Sequence, residues 1–153
     1  MTATSYKELA HYIRPALTKL YVLYFRIAEA SDLTGPQMTI MTRLAEDGPS
    51  RISQIAKAEG IRMPTASNAL HQLEERGMIE RIREESDRRG VRVQLTDFGR
   101  QELQRVGEER TEYLAQMLST LPEERLEDAA KVADLIHELA AAYTAEMMQR
   151  NEK

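Results

Sequence analysis

The sequence contains no cysteine and no tryptophan, only two phenylalanines, and no apolar run approaching the roughly 18 residues that a membrane-spanning helix needs. Without cysteine there can be no disulfide, no thiolate zinc site, no cysteine nucleophile and no peroxide sensing through a thiol. With so few large aromatic rings, the core must be largely aliphatic. The N-terminal stretch MTATSYKELAHY lacks the basic-then-apolar layout of a secretory signal, so a cytoplasmic protein without membrane contact is expected. The three histidines, His11, His71 and His137, have no metal-ligand spacing, and His71-x-x-Glu74 lacks the second histidine of a zinc-protease helix. No nucleophile–base arrangement, paired-carboxylate motif or phosphate loop is visible. Neither an enzyme nor a metal or cofactor site is expected.

What is present suits one domain with helical extensions: 153 residues, 42% hydrophobic, enough for a core. The net charge of −4 hides an uneven distribution. Residues 1–49 are neutral, residues 50–100 carry 10 basic against 8 acidic side chains, and residues 101–153 carry 6 against 12. A mildly basic middle between neutral and acidic ends is where a polyanion would sit, although so small a bias is weak evidence alone.

Periodicity and start signals divide the chain. Ser5 with Glu8 fits a capping box ahead of a helix over 5–30, whose apolar positions Leu9, Ile13, Leu17, Leu20, Tyr24 and Ile27 recur at steps of three or four. Pro15 removes a backbone donor there and predicts an interruption, with a kink near residues 11–15. Thr34 and Gln37 frame a second helix, stopped by Asp47-Gly48-Pro49, after which Ser50 is placed to cap a third. Residues 51–58 form that short helix, Glu59-Gly60-Ile61 a tight turn, and residues 63–76 a fourth helix ended by Gly77. The inward face of the fourth helix is Ala66, Ala69, Leu70 and Leu73; the outward face is Thr65, Ser67, Asn68, His71 and Gln72. Residues 78–83 and 91–95 read as two strands, Val91, Val93 and Leu95 alternating with Arg92 and Gln94. Thr96 caps a long helix to about residue 119. Thr120 with Glu123 forms a further capping box ahead of a last helix, to about Met148.

Helix, tight turn, helix, two-strand hairpin is the order of a winged helix-turn-helix, in a fold that is otherwise mainly α. Its outward residues suit DNA, because short polar side chains reach base edges in the major groove without clashing. Asn68 and Gln72 can each pair bidentately with adenine, a contact that discriminates by about 1–3 kcal/mol. Arg88-Arg89-Gly90 at the hairpin tip fits a narrow minor groove, where negative potential is focused. Lys57 and Arg62 flank the turn and are candidates for phosphate contact. The dipeptide Arg88-Arg89 alone would more often be a solvated turn; its place on a hairpin after a two-helix unit favours DNA.

Residues 87–99, DRRGVRVQLTDFG, resemble the MarR family (multiple antibiotic resistance regulators), which shows an Asp-x-Arg wing and a Leu-Thr-x-x-Gly entry into the next helix. Here these are Asp87, Arg89, Leu95, Thr96 and Gly99, and residues 70–81, LHQLEERGMIER, resemble the end of the family's recognition helix and its first wing strand. The resemblance implies a ligand-responsive regulator, usually a repressor, that binds a pseudo-palindromic operator as a homodimer. It implies three parts: an N-terminal dimerisation helix over 1–33, the DNA-binding unit over 34–98, and C-terminal dimerisation helices over 99–153. Arg89 would be the minor-groove arginine, Asp87 the acid that shapes the wing, and Thr65, Ser67 and Asn68 the base readers. Where the family often has a serine capping the recognition helix, this chain has Arg62-Met63-Pro64; arginine caps poorly. The family binds small aromatic or phenolic anions between its dimer helices and its DNA unit. Tyr12, Tyr21, Tyr24, Phe25, Met38 and Met41, with His11 and Arg14 as anion partners, are candidates for such a pocket, although a stripe of this kind is more often core or dimer interface. A second reading, a winged-helix module that binds a protein rather than an operator, is disfavoured because the outward face lacks Trp, Tyr and Leu anchors.

Overall fold

The computed structural model describes residues 5–30, 32–83 and 90–150. In chain order it comprises helices α1 (Tyr6–Ala30), α2 (Gly35–Asp47), α3 (Ile52–Ala58) and α4 (Met63–Glu75), then strands β1 (Ile79–Arg83) and β2 (Val91–Leu95). Helix α5 (Asp97–Leu118), a single 3-10 turn at Glu123–Arg125, and α6 (Leu126–Arg150) follow. The strands form an antiparallel hairpin in the register Ile79↔Leu95 to Arg83↔Val91. No helix among the described residues is long and apolar enough to cross a membrane.

The start signals work largely as the sequence predicts. Ser5 Oγ accepts the Glu8 amide at 3.2 Å, while Glu8 Oε2 accepts the Ser5 amide at 2.9 Å. That amide and the Ser5 hydroxyl hold the Glu8 carboxyl below its ordinary range. Thr34 and Gln37 form the reciprocal box that opens α2. Helices α3 and α4 end alike: Ile61 N–H reaches the Ala56 carbonyl and Met78 N–H the Leu73 carbonyl, each at 2.9 Å. Gly60 and Gly77 supply the positive φ, 63° and 72°, that this closure requires.

Three expectations are corrected. Helix α1 continues unbroken through Pro15. Residues 11–15 are all exposed, so water can satisfy the carbonyl that the proline leaves without a helical partner. Ser50 does not cap α3. It exchanges both backbone hydrogen bonds with Val93, at 3.0 and 2.9 Å, as a one-residue third strand beside β2, and Arg51 occupies the cap position. Thr120 does not cap α6 either: its hydroxyl donates to the Met117 carbonyl, closing α5, and Pro122 precedes the 3-10 turn that leads into α6.

The core lies between α2, α3, α4, the hairpin and the first half of α5. Ile40, Met41, Leu44, Leu70, Leu73 and Val106 are all but completely buried within it. Outside this unit the apolar stripes find no cover. Leu17, Leu135 and Leu139 are 61%, 63% and 70% exposed, and Leu114, Leu118 and Ile136 are also open to solvent. The two parts meet at the short joint between α1 and α2. There the Arg76 guanidinium donates to the Asp32 carbonyl, Arg105 Nη2 lies 3.0 Å from the Asp32 carboxylate, and Arg110 Nη2 lies 2.6 Å from the Leu33 carbonyl.

Candidate nucleic-acid interface

Helix α4 is fixed by its inner face. Ala66 and Leu73 are fully buried and Ala69 and Leu70 nearly so, packing against α2 and α3, and this orients the other face outward. Thr65, Ser67, Asn68, His71 and Gln72 are all exposed there. Helical spacing places Thr65, Asn68 and Gln72 in one row and Ser67 and His71 in the next. The structure thus brings together all five side chains that the sequence assigned to base reading.

At the near end of α4, Arg62 holds the cap position in extended backbone and makes no side-chain cap bond. Pro64 suits the first turn, where an amide would have no helical partner. The turn before it, with Lys57, Gly60, Arg62 and Met63, lines a cleft of about 410 Å³ that Met147 of α6 closes on one side. Backbone donors at a helix start, next to exposed Arg62, make a suitable seat for a phosphate. Sequence reasoning missed that the far end of α6 comes to this turn, since no local signal carries it.

Neighbours engage two of these five side chains. His71 Nε2 lies 3.3 Å from the Glu75 carboxylate one turn on, a separation that brings same-face residues together. Gln72 Oε1 accepts from Gln37 Nε2 at 2.8 Å. Gln37 is 3% exposed, a buried polar residue that the sequence identifies only as half of a capping box.

Thr96 and Gly99 place the wing. Thr96 Oγ1 accepts the Gly99 amide at 3.0 Å and its hydroxyl donates to the Gly77 carbonyl at 2.6 Å, so the start of α5 is bound to the end of α4. A Cβ on Gly99 would lie 1.9 Å from the Met78 carbonyl oxygen, so only glycine lets α5 approach β1 this closely. This gives the Leu-Thr-x-x-Gly segment a mechanical meaning. Across the hairpin Gln94 Nε2 donates to Glu80 at 2.6 Å, and Arg81 reaches back to Glu74 of α4 at 3.0 Å. Asp87, Arg88 and Arg89 lie outside the described residues, between the paired strand ends Arg83 and Val91.

The candidate effector residues are spread more widely. His11, Arg14 and Tyr21 are exposed along α1, Tyr24 and Met38 are half-buried, and Met41 lies wholly inside the core. The Tyr21 ring lies tilted against Phe25 at 4.3 Å between centroids, and Tyr24 meets Phe25 edge-on at 5.9 Å. Phe25, part of the same candidate aromatic set, sits beside Gly35 at the start of α2.

Residues 33–91 match the model of the MarR family. An uncharacterised helix-turn-helix-type transcriptional regulator of Bacillus subtilis, YfiV, is 30% identical over 52% of this chain and 56% of its own length, so the chain spans little more than half of that relative. The B. subtilis transcriptional repressor MdtR is 26% identical over 80% of this chain and 79% of its own. Among solved structures, Streptococcus pneumoniae FabT in complex with DNA shares the fold. It has a TM-score of 0.66 at 21% identity, over 91% of this chain and 99% of that one. The matched segment runs from the α1–α2 joint to the second wing strand, where the chain is similar to the MarR family, and the fold is shared beyond it.

Proposed function

We propose that this chain is a sequence-specific DNA-binding transcriptional regulator, acting as a homodimer on a pseudo-palindromic operator and most simply as a repressor. One observation carries the reading: five short polar side chains stand exposed on one face of α4, while the opposite face is buried. MdtR, a named repressor, and FabT, solved on DNA, support it. Thr65, Ser67 and Asn68 read bases. Arg62 and Lys57 meet phosphates, and Arg88 and Arg89 enter the adjacent groove, with Asp87 shaping the wing.

The homodimer rests on the uncovered stripes of α1, α5 and α6. Two such chains present two α4 helices to half-sites about one helical turn apart. Residues 1–33 and 99–153 form the dimer arm and residues 34–98 the reading unit. A small aromatic or phenolic anion held near Tyr21 and Tyr24, with His11 and Arg14 as partners, would lower affinity if it favoured a dimer with the wrong spacing, by its differential affinity for the two states.

Selection of bound duplexes from a random pool by the full-length chain tests the function. The expected product is an inverted repeat, with Asn68→Ala relaxing one column in each half. A pool that stays unenriched overturns the reading, and co-purification of a protein partner in its place would favour the interaction module.

A further inference from the structure

The hydrogen bonds around Gln37 have a direction that the backbone sets. The Thr34 amide can only donate, and it lies 2.9 Å from one end of the Gln37 side-chain amide. That end is therefore the oxygen, and the opposite end is the nitrogen. Gln37 Nε2 in turn can only donate, and it lies 2.8 Å from Gln72. The atom of Gln72 that it meets must accept, so it is Oε1. One backbone donor thus fixes the orientation of two side-chain amides in series. Gln37 is buried, which limits the access of water to its end of each bond.

The consequence falls on the reading face. Gln72 shares a row of α4 with Thr65 and Asn68, is exposed, and its Nε2 has no partner among the described residues. A free glutamine reads adenine by accepting from N6 and donating to N7 at once. Gln72 turns its oxygen toward α2 and gives one of its lone pairs to Gln37, so the two amino hydrogens are the polar groups it leaves wholly unpartnered. In the major groove guanine alone presents two adjacent acceptors, N7 and O6, on one base edge, whereas adenine places a repelling amino group beside its N7. We infer that Gln72 reads through its amino group, oriented by Gln37, and so selects guanine over adenine at one position of each half-site. The inference rests on the DNA-reading function proposed above and specifies one column of its operator.

Parallel selections with the wild-type chain and Gln72→Ala identify the column, since only the position read by Gln72 loses its preference. That column is expected to be G·C in the wild type, preferred over A·T by roughly fivefold or more, the lower end for a two-bond base contact. Gln37→Glu, selected at pH 8 to keep the carboxyl ionised, then reverses the polarity. A carboxylate still accepts the Thr34 amide and so preserves the cap. It cannot donate, so Gln72 must turn its amino group inward and its oxygen outward. Guanine preference is expected to vanish in that column alone; a merely weakened fold would flatten every column together. An A·T column in the wild type, no column dependent on Gln72, or a folded Gln37→Glu chain that keeps guanine overturns the inference and leaves the function standing. If Gln37→Glu does not fold, by circular dichroism, the wild-type and Gln72→Ala columns decide alone. A wild-type chain that enriches no sequence overturns the function itself.

Discussion

At the scale of the residue, two side chains translate directly into measurements. Gly99 stands against a backbone carbonyl that cannot move without moving β1. Gly99→Ala should therefore cost stability at the upper end of the about 1–3 kcal/mol typical of overpacking, read from the urea midpoint. The gain in helix propensity offsets only about 1 kcal/mol of this. Glu102 lies 2.8 Å from Arg105, and that hydrogen bond holds its carboxyl below the ordinary value of 4.5. A carboxyl depressed on folding stabilises the folded state above the unfolded-state pKa and stops doing so as pH falls through the folded one. Thermal melts should therefore show the wild-type chain losing more stability than Glu102→Gln as pH drops below about 4.5. Equal losses would mean the pair contributes nothing, a real prospect for an ion pair this open to water.

At the scale of the element, helix limits follow local chemistry and were legible wherever the signal was local. Ser5–Glu8 and Thr34–Gln37 are complete boxes within four residues, and Gly60 and Gly77 sit where the backbone must turn left-handed. The failures have one cause. Ser50 looks like a cap by type and position, but its backbone bonds Val93, 43 positions along the chain, and no local pattern announces such a partner. Thr120 follows the same logic, its hydroxyl satisfying the helix behind it. The reading face was legible from the 3.6-residue period, yet the state of Gln72 was not, because its partner lies on another helix. The joint between α1 and α2 was wholly invisible, since Arg76, Arg105 and Arg110 reach it from two separate helices. Arg76 is the C-terminal cap residue of α4, so this joint restrains the reading helix directly. Arg76→Ala should cost about 0.5–1.5 kcal/mol in a denaturant titration, the net worth of one hydrogen bond. Amide exchange should also rise in the last turn of α4; unchanged exchange there would remove Arg76 as its anchor.

At the scale of the whole molecule, charge and apolar surface divide the labour. The acidic excess lies in residues 101–153 and the basic excess in residues 50–100, so net charge favours approach of a phosphate backbone to the segment that holds α4, although the end of α6 meets the turn before it. Operator affinity should fall with salt at a log–log slope of about −0.9 per phosphate neutralised; a flat response would exclude direct phosphate contact. The exposed stripe of α6 predicts that Leu139→Glu leaves the reading unit folded, because Leu139 takes no part in its core. Sedimentation should then find a monomer, with operator affinity reduced because the half-sites no longer bind as one. A Leu139→Glu chain that still sediments as a dimer would move the interface elsewhere.

The backbone pair between Ser50 and Val93 joins the start of α3 to the middle of β2, and β2 leads toward the tip that carries Arg88 and Arg89. Anything that tilts the hairpin pulls on α3 and, through its packing, on α4, whose outer face carries the proposed base readers. Losses from a wing substitution and a helix substitution should therefore fail to sum, and a double-mutant cycle between Arg89 and Asn68 would register a coupling.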